Sequence, residues 1–403
     1  MISVATALKK ILDSFSTLRW EKVALANSLG RVLAENSIAR TTSPPFPISA
    51  MDGYAVCLDD VLKLPVKLTQ IGESAAGRPF FGEICNGQCV RIFTGAKVPK
   101  NANAIILQEN TIVDDDKVTI LETTVNGRWI RPKGLDFSKG ETLLREGRVI
   151  SARDIGLMAS MNIPWLKVRR QPKIAIVSTG DEIVMPGEIL KMGQIVGSNG
   201  LALEAFVTAL GGKPINLGIA PDNEDNLRAL FSEAIGSDML VTTGGASVGK
   251  YDFLHRVLAS EEMDLNFYKV AMRPGKPIIF GKFGALPILG LPGNPVSAGV
   301  TATIFLRPAM EKMLGIFHNE YFINATLASS LPKNDERQDY IRGSLKINKE
   351  GKKIVAPFSY QDSSMVRRFA DADCLIIREP MAKSAEVGEA VRIIELKHSL
   401  ISI

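Results

Sequence analysis

KIAIVSTG, residues 173–180, is an apolar stretch that ends at a Thr-Gly pair. A continuous apolar run of this length is typical of a strand that is covered on both faces, as in a parallel sheet. Similar strands alternate with amphipathic helices as far as residue 314. We therefore predict a doubly wound α/β unit with a largely parallel sheet over this region.

The other elements of this unit follow from the same alternation. Gly211 and Gly212 are predicted to end the first helix, and Asp222 is the predicted N-cap of the second. The predicted strands are 214–220, 238–245, 276–283 and 286–293, and the predicted helices are 201–212, 222–235, 251–260 and 294–314.

Prolines mark a boundary on the N-terminal side of this unit. In residues 40–47, RTTSPPFP, three prolines forbid a helix and favour an extended crossing. Residues 48–132 then show short strand patterns punctuated by Gly and Asn, which predicts a small β domain. Strand patterns return from residue 321, which predicts a C-terminal β unit of barrel-like form.

Helical spacing appears at two further places. Residues 4–15 have apolar side chains on one face behind a possible N-cap at Ser3, and residues 151–162 begin with Ser151 and Asp154, a capping-box pattern. The second helix is expected to pack with the amphipathic stretch 21–36 in an elongated element. The predicted domains are 21–47 with 133–170 (connecting), 48–132 (inserted β), 1–20 with 171–320 (α/β) and 321–403 (C-terminal β).

Composition restricts the class of function. The 403 residues are 46% apolar and 23% charged, which is typical of a globular protein. A net charge of +5 favours small anions but is too dilute to predict nucleic-acid binding. No stretch of 18 apolar residues occurs, and charges interrupt the N-terminal helix. We therefore expect neither a signal peptide nor a membrane span, and we expect a cytoplasmic protein.

Four cysteines, Cys57, Cys85, Cys89 and Cys374, are scattered along the chain. Their spacing matches no zinc motif, and scattered thiols are typical of a reducing compartment. A metal site at Cys85 and Cys89 is an alternative, although no histidine lies beside them.

Carboxylates collect where the predicted parallel strands end. Asp181 and Glu182 follow the first strand, Asp222 follows the second, and Asp252 lies shortly after the third. Ligands of open α/β sheets bind beyond these ends. Carboxylates beside a phosphate site predict Mg²⁺, which prefers oxygen ligands. The alternative is that Asp222 and Asp252 are only helix N-caps.

A glycine-rich loop follows the third strand. Residues 243–249, TGGASVG, place three glycines between a buried strand and a helix. Converging backbone N–H groups and the positive potential of a helix N-terminus suit a phosphate or another oxyanion. The loop has neither the Walker A nor the GxGxxG sequence, and a tight turn without a ligand explains its glycines equally well.

Three cations lie within eight residues around the turn Pro274–Gly275. Lys269, Arg273 and Lys276 carry side chains of the kind that binds phosphate or another oxyanion through charge-assisted hydrogen bonds. The cluster predicts an oxyanion clamp near the glycine-rich loop, and an exposed basic turn is the alternative.

Two motifs of the predicted β domain combine small residues with one polar group. SAMDGYA, residues 49–55, follows the proline-rich crossing, and FTGAKVP, residues 93–99, follows a strand. Taken alone, each is typical of a plain turn.

Taken together, these motifs resemble the molybdenum-insertase (molybdopterin molybdenumtransferase) family, which includes the C-terminal domain of gephyrin. They occur in family order, and the resemblance covers essentially the whole chain. The segments that carry it are PPFPISAMDGYAV (44–56), RIFTGAKVP (91–99), KGLDFSKG (133–140), VSTGDEIV (177–184), GIAPDNEDNL (218–227), TTGGASVGKYDF (242–253), VAMRPGKP (270–277) and LPGNPVSA (291–298).

The resemblance implies an elongated homodimer of four-domain subunits. The active site is implied to lie between the α/β unit of one subunit and the β domain of the other. The implied reaction, supported by Mg²⁺, inserts molybdate into adenylylated molybdopterin and releases AMP, giving molybdenum cofactor. The implied upstream partner is the molybdopterin adenylyltransferase, and neither nucleic acid nor a membrane is implied.

Residue roles are implied in the same way. Asp52, Glu182, Asp222 and Asp252 are implied to act in the reaction, the last three also as metal ligands. The chain departs from the family at Arg273, where some relatives carry Lys, and at Leu135, where an acidic residue is common, so the molybdate contacts stay open. The implied substrate contacts are Thr94, Asp136, Gly244, Gly245, Ser247, Gly249, Lys269, Arg273, Lys276, Pro292 and Pro295.

Two other functions fit parts of the pattern. Molybdopterin adenylyltransferases resemble the α/β unit and share its oxyanion loop, but they lack SAMDGYA and the β domain. A non-catalytic dimeric scaffold has no need of carboxylates at the strand ends.

Overall fold

A computed structural model describes residues 1–221, 224–244, 263–316 and 322–396. Within these ranges the helices are Val4–Asp13, Ala152–Ser160, Asn199–Ala209, Glu224–Glu233, Pro295–Thr301, Arg307–Leu314 and Val366–Ala370. Short 3₁₀ turns cover Leu25–Asn27, Leu58–Val61 and Gln108–Asn110. None of the helices in these ranges has the length and apolar character needed to cross a bilayer.

The central sheet has six strands and confirms the predicted α/β class. Counted in spatial order, the first four strands run parallel to one another. The fifth strand is antiparallel to the fourth, and the sixth is antiparallel to the fifth. The strand Lys173–Thr179 is buried at six of seven positions, as expected for a strand covered on both faces. In spatial order the strands are Lys213–Ala220, Lys173–Thr179, Met239–Thr243, Leu286–Leu291, Ile279–Phe283 and Met263–Tyr268.

Helices cover this sheet on both faces. The N-terminal helix begins at Ser3, whose hydroxyl accepts from the amide of Thr6, and Val4, Ala7 and Ile11 are buried in the main core. The predicted helix 294–314 is continuous, but its middle turn, Ala302–Leu306, is π-helical. The predicted helix 251–260 lies outside the described residues.

The inserted domain is a six-stranded sheet within residues 48–132, as the strand pattern predicts. Its parallel pair, Val66–Ser74 with Gln88–Ile92, lies in an otherwise antiparallel arrangement. The strand order is Ala104–Leu107, Gly53–Val56, Gln88–Ile92, Val66–Ser74, Lys117–Ile120 and Thr111–Asp114.

Three short strand pairs form the connecting region. The predicted capping box is present, because Ser151 and Asp154 each accept from the backbone of the other. The stretch 21–36 contains part of a strand and a 3₁₀ turn, and the turn contacts the helix Ala152–Ser160, as the expected packing of this stretch requires. The pairs are Trp20–Ala24 with Trp165–Arg169, Ser37–Ile38 with Thr142–Leu144, and Ile48–Ser49 with Ile130–Arg131.

The C-terminal unit is a closed barrel of five strands, which confirms the barrel-like prediction. The strand Gln338–Ile347 pairs with the strand Cys374–Arg378, and this pairing closes the barrel. Met272–Arg273 adds a short parallel strand to the barrel, so the α/β unit and the barrel share backbone hydrogen bonds. The barrel strands are Ile323–Leu327, Gln338–Ile347, Lys353–Pro357, Cys374–Arg378 and Ala390–Glu395. The sequence limits proposed for the four domains stay predictions.

The thiols do not form a metal site among the described residues. All four cysteines are free, and Cys85 is exposed whereas Cys89 is fully buried. Burial raises the pKa of the Cys89 thiol to about 12, which disfavours the thiolate that binds metals. The described part of the chain therefore gives no support to the alternative of a Cys85–Cys89 metal site.

Candidate functional site

A cleft of about 1030 Å³ lies at the carboxyl ends of the parallel strands. Thr179, Thr243 and Pro292 line it from three neighbouring strand ends, which is where open α/β sheets bind ligands. The turn 269–277 forms another part of its wall, and residues of the barrel complete it.

A glycine and an asparagine hold the strand ends close together. Gly244 has a φ of +95°, and a Cβ at this position would lie 2.3 Å from the carbonyl oxygen of Thr179. Asn199, at the start of a helix, joins the next strand ends. Its Nδ2 donates to Thr243 Oγ1 and to the carbonyl oxygen of Gly293, each at 2.8 Å. The base of the cleft is therefore held by local contacts.

Oxygen atoms collect on one part of the lining. Glu182 lines the cleft with an exposed side chain, and no cation in the described residues pairs with it. Gly180 leaves space for this carboxylate, since a Cβ there would lie 2.6 Å from Glu182 Oε2. Thr179 Oγ1 is buried and has no hydrogen-bond partner in the described part of the chain. The set suits a hard cation better than a soft one.

The predicted cation cluster reaches the same cleft. Lys269, Arg273 and Lys276 all line it. The carbonyl oxygen of Lys276 accepts from the amides of Val270 and Ile278 at 3.0 Å, which closes the turn. No carboxylate of the described residues pairs with the ammonium of Lys276, so its charge is available to an anionic ligand.

Arg273 is less free than its neighbour. Its guanidinium pairs with Asp339 and, at 3.2 Å, with Asp335. Arg337, which also lines the cleft, lies 2.7 Å from the same Asp335 carboxylate. A chain of alternating charges therefore runs along the boundary between the α/β unit and the barrel.

The barrel loop 361–364 lies against the start of the helix Pro295–Thr301. Asn294 Nδ2 donates to Ser363 Oγ at 2.8 Å, and the amide of Val296 donates to the carbonyl oxygen of Ser363 at 3.1 Å. Asp362 accepts from the hydroxyl and the amide of Ser364, and these bonds lower the pKa of the Asp362 carboxyl. The loop thus adds hydroxyls and one carboxylate to the lining.

Asp52 and Thr94 lie together in the inserted domain and do not line the cleft of their own chain. The amide and the hydroxyl of Thr94 donate to Asp52 Oδ1 at 2.7 and 2.8 Å. These bonds lower the pKa of Asp52, the backbone bond most, and the nearby charge of Arg91 acts in the same direction. Arg91 stacks 5.0 Å from the ring centres of both Tyr54 and Phe93. This patch presents an ionised carboxylate.

The remaining predicted residues fall into three groups. Pro292 and Pro295 line the cleft. Asp136 does not, and its amide donates to the carbonyl oxygen of Ser43 at 3.0 Å in the connecting region. Five predicted residues lie outside the described residues: Asp222, Gly245, Ser247, Gly249 and Asp252.

Sequence reasoning missed several lining residues. Asn199 precedes a predicted helix, and its position after a Gly-Ser turn is a local signal that could have identified it. Arg337 and Ser363 belong to the barrel, and no local pattern indicates that they reach the strand ends. They arrive there through the pairing of Met272–Arg273 with the strand Gln338–Ile347.

Three family models match successive parts of the chain. Residues 2–162 match the MoeA N-terminal region (domain I and II), and residues 175–312 match a probable molybdopterin binding domain. Residues 324–396 match the MoeA C-terminal region (domain IV).

Similar proteins cover most or nearly all of the chain. A molybdopterin molybdenumtransferase of Haemophilus influenzae is 36% identical over 99% of this chain and 100% of its own length. One of a Nostoc species is 38% identical over 81% of this chain and 77% of its own length. The crystal structure of a molybdopterin biosynthesis MoeA protein from Pyrococcus horikosii has a TM-score of 0.85 at 32% identity, covering 99% of this chain and all of that one.

Proposed function

The chain belongs to the molybdopterin molybdenumtransferase (MoeA) family, and we propose on that basis that it inserts molybdate into adenylylated molybdopterin and releases AMP. The observation that carries this proposal is the composition of a single cleft. Cations of the turn 269–277, a carboxylate at Glu182 and the glycine-bearing strand end at Gly244 all line it. Such a cleft suits a substrate that carries several phosphate charges and an incoming oxyanion.

Roles for the lining residues follow from their charge. Lys276 and Arg273 would hold molybdate or phosphate oxygens through charge-assisted hydrogen bonds, with Lys269 beside them. Gly244 would let the terminal phosphate of molybdopterin approach the backbone of the strand end. Pro292 and Pro295 would shape the pocket wall. Hydrolysis of the phosphoanhydride releases AMP, and the dithiolene of molybdopterin receives the molybdenum.

We propose Mg²⁺ as the supporting cation, and the described lining is compatible with it. Its candidate donors here, the Glu182 carboxylate and the buried Thr179 hydroxyl, are all oxygen, the donor type that Mg²⁺ prefers. Asp222 and Asp252 are the other proposed ligands. When bound, the ion would neutralise phosphate charge. The protein side chains would hold the phosphates in one orientation.

We also propose a homodimer in which the Asp52–Thr94 patch of one subunit completes the cleft of the other. The patch has an ionised carboxylate that does not line the cleft of its own chain, so that cleft would receive these residues only from a second subunit. Asp136 is proposed to serve from the same N-terminal half. A cytoplasmic location, in keeping with four unpaired thiols, and the adenylyltransferase as upstream partner complete the proposal.

The test is AMP release by the purified protein. Adenylylated molybdopterin and Mg²⁺ are incubated with and without molybdate, and AMP is measured by chromatography. We expect molybdate to stimulate release, and we expect Lys282→Met, which changes a lysine outside the cleft, to behave like the wild type. Release that ignores molybdate would contradict the proposal. Consumption of ATP with free molybdopterin would instead favour the adenylyltransferase.

A further inference from the structure

We propose that Asp335 and Asp339 are internal counter-ions of Arg273 and Arg337 that partly cancel the positive charge these arginines present to the cleft, and that they thereby lower the oxyanion affinity of the cleft. The inference rests on the proposed function, because it assigns the selectivity of the same cleft. It concerns two carboxylates that do not themselves line the cleft.

Strand pairing fixes the first contact. Arg273 and Asp339 are direct partners in the parallel pair that joins the α/β unit to the barrel. The side chains meet in an ion pair, and the amide of Gln338 donates to the carbonyl oxygen of Ala271 at 3.0 Å beside it. The guanidinium of Arg273 is therefore held at the cleft by the backbone of two domains.

Asp335 links the two arginines. Its Oδ2 lies 3.2 Å from Arg273 Nη1 and 2.7 Å from Arg337 Nη2, and its Oδ1 accepts from the amide of Arg337 at 2.9 Å. The side-chain bond from Arg337 is the main cause that holds the pKa of Asp335 at about 2. The carboxylate is consequently charged at any pH used for an assay.

Both arginines keep a face toward the cleft while their charge is balanced from behind. About 47% of the Arg273 side chain and 27% of the Arg337 side chain are exposed, against 10% for Asp339. Asp339 Oδ1 is buried and accepts no hydrogen bond from the described residues. Asp339 is therefore committed to Arg273, whereas an anion from solvent can reach the exposed side of each arginine.

The sign of the effect follows from electrostatics. A carboxylate a few ångströms behind a guanidinium cancels much of the potential that an incoming anion feels. Removing that negative charge while keeping the side-chain shape strengthens anion binding. If the carboxylates only held the arginines in place, the same change would loosen them and weaken binding, so the two roles predict opposite directions.

The test measures binding of molybdate and of inorganic phosphate to the full chain by titration calorimetry. The variant is Asp335→Asn, whose Oδ1 keeps the contact with the Arg337 amide. The matched control is Asp238→Asn, which removes a carboxylate from a two-bond ion pair with Arg170 at the amino ends of the parallel strands, opposite the cleft. Each protein is measured at low and high ionic strength, and thermal unfolding establishes that each is folded.

We expect Asp335→Asn to bind both anions about fivefold more tightly at low salt, with a smaller gain at high salt, and Asp238→Asn to match the wild type. Unchanged or weaker binding by folded Asp335→Asn overturns the inference, and so does a failure of both proteins to bind either anion. Because AMP release is measured separately, molybdate-stimulated release without the gain in affinity rejects this inference alone. Absence of stimulated release rejects the proposed function.

Discussion

The strand-end cleft and the Asp52–Thr94 patch both carry predicted site residues, but they are built in different ways. The cleft gathers side chains from several strand ends, a turn and the barrel. The patch depends on one carboxylate that two hydrogen bonds from Thr94 hold in place. The cleft has the volume to enclose a ligand, whereas the patch offers an oriented charge to one. The proposed function therefore divides binding and orientation between two domains, and variants in each should fail differently.

Loss of the available cation in the cleft should have the largest effect. We expect Lys276→Met to lower kcat/KM for molybdate about a hundredfold, because a charge-assisted contact to an anion disappears. Steady-state AMP release at varied molybdate measures it, with Lys282→Met, on the strand that follows the turn, as the control. A normal kcat/KM in Lys276→Met would remove the cleft from the mechanism.

A change at the patch should have a smaller effect and a different form. We expect Asp52→Asn to lower kcat about thirtyfold while leaving the molybdate KM near the wild-type value, since the cleft is intact. A rise in KM alone would show that the patch binds molybdate and that the division is wrong.

Mixing subunits sharpens the same comparison. If the patch of one subunit serves the cleft of the other, Asp52→Asn and Lys276→Met proteins that are unfolded and refolded together should recover about a quarter of wild-type activity. Half of the dimers are then mixed, and each mixed dimer has one intact site. No recovery would place both residues in the site of a single subunit.

Two glycines allow a matched test of packing in the two regions. Gly244 and Gly95 both have positive φ, but only Gly244 is crowded, whereas a Cβ at Gly95 meets nothing within 4 Å. We expect Gly244→Ala to lower the free energy of unfolding by about 3 kcal/mol and Gly95→Ala by about 1 kcal/mol. Urea denaturation measures both, and equal losses would mean that the strand ends can separate at little cost.

The smallest effect is expected at Thr94. Thr94→Val removes the hydroxyl bond but keeps the stronger backbone bond, so the pKa of Asp52 should rise partway toward its ordinary value. A carboxyl with a lowered pKa stays ionised to a lower pH, and the stability that its charge contributes is lost as the pH falls through that lowered pKa. In the variant the pKa of Asp52 is raised partway, so Asp52 takes up its proton at a higher pH. Activity of the variant should therefore begin to fall at a higher pH on the acid side. The control is Thr69→Val in the same sheet, and an unshifted acid limb would contradict the prediction.

The sequence is sufficient for the elements that local patterns determine. The apolar strand at 173–179 and the capping box at Ser151 can be predicted, because burial and capping each require particular residue types within a short stretch of sequence. The packing of the stretch 21–36 against the helix Ala152–Ser160 is predictable from its apolar residues, but its conformation, part of a strand followed by a 3₁₀ turn, depends on pairing with distant residues. No local sequence pattern indicates the π-helical turn at 302–306 either.

The candidate site is predictable only where it is made of strand ends. Lys269, Arg273 and Lys276 can be placed there because a turn and a parallel sheet restrict where they lie. Arg337 reaches the cleft through strand pairing over more than 60 residues of sequence, which no short-range pattern encodes. The ion pairs that balance Arg273 are invisible in the sequence for the same reason.

The contact between the Val296 amide and the carbonyl oxygen of Ser363 has a consequence for how molecules enter and leave. Pro295 has no N–H, so the first turn of this helix depends on a loop of the barrel to satisfy its next donor. Swinging that loop outward would strip the helix of its acceptor and of the Asn294 contact. Substrate and product should therefore enter and leave past the rim formed by Ile195 and Val196. The side chains there are exposed and can move without breaking a backbone hydrogen bond.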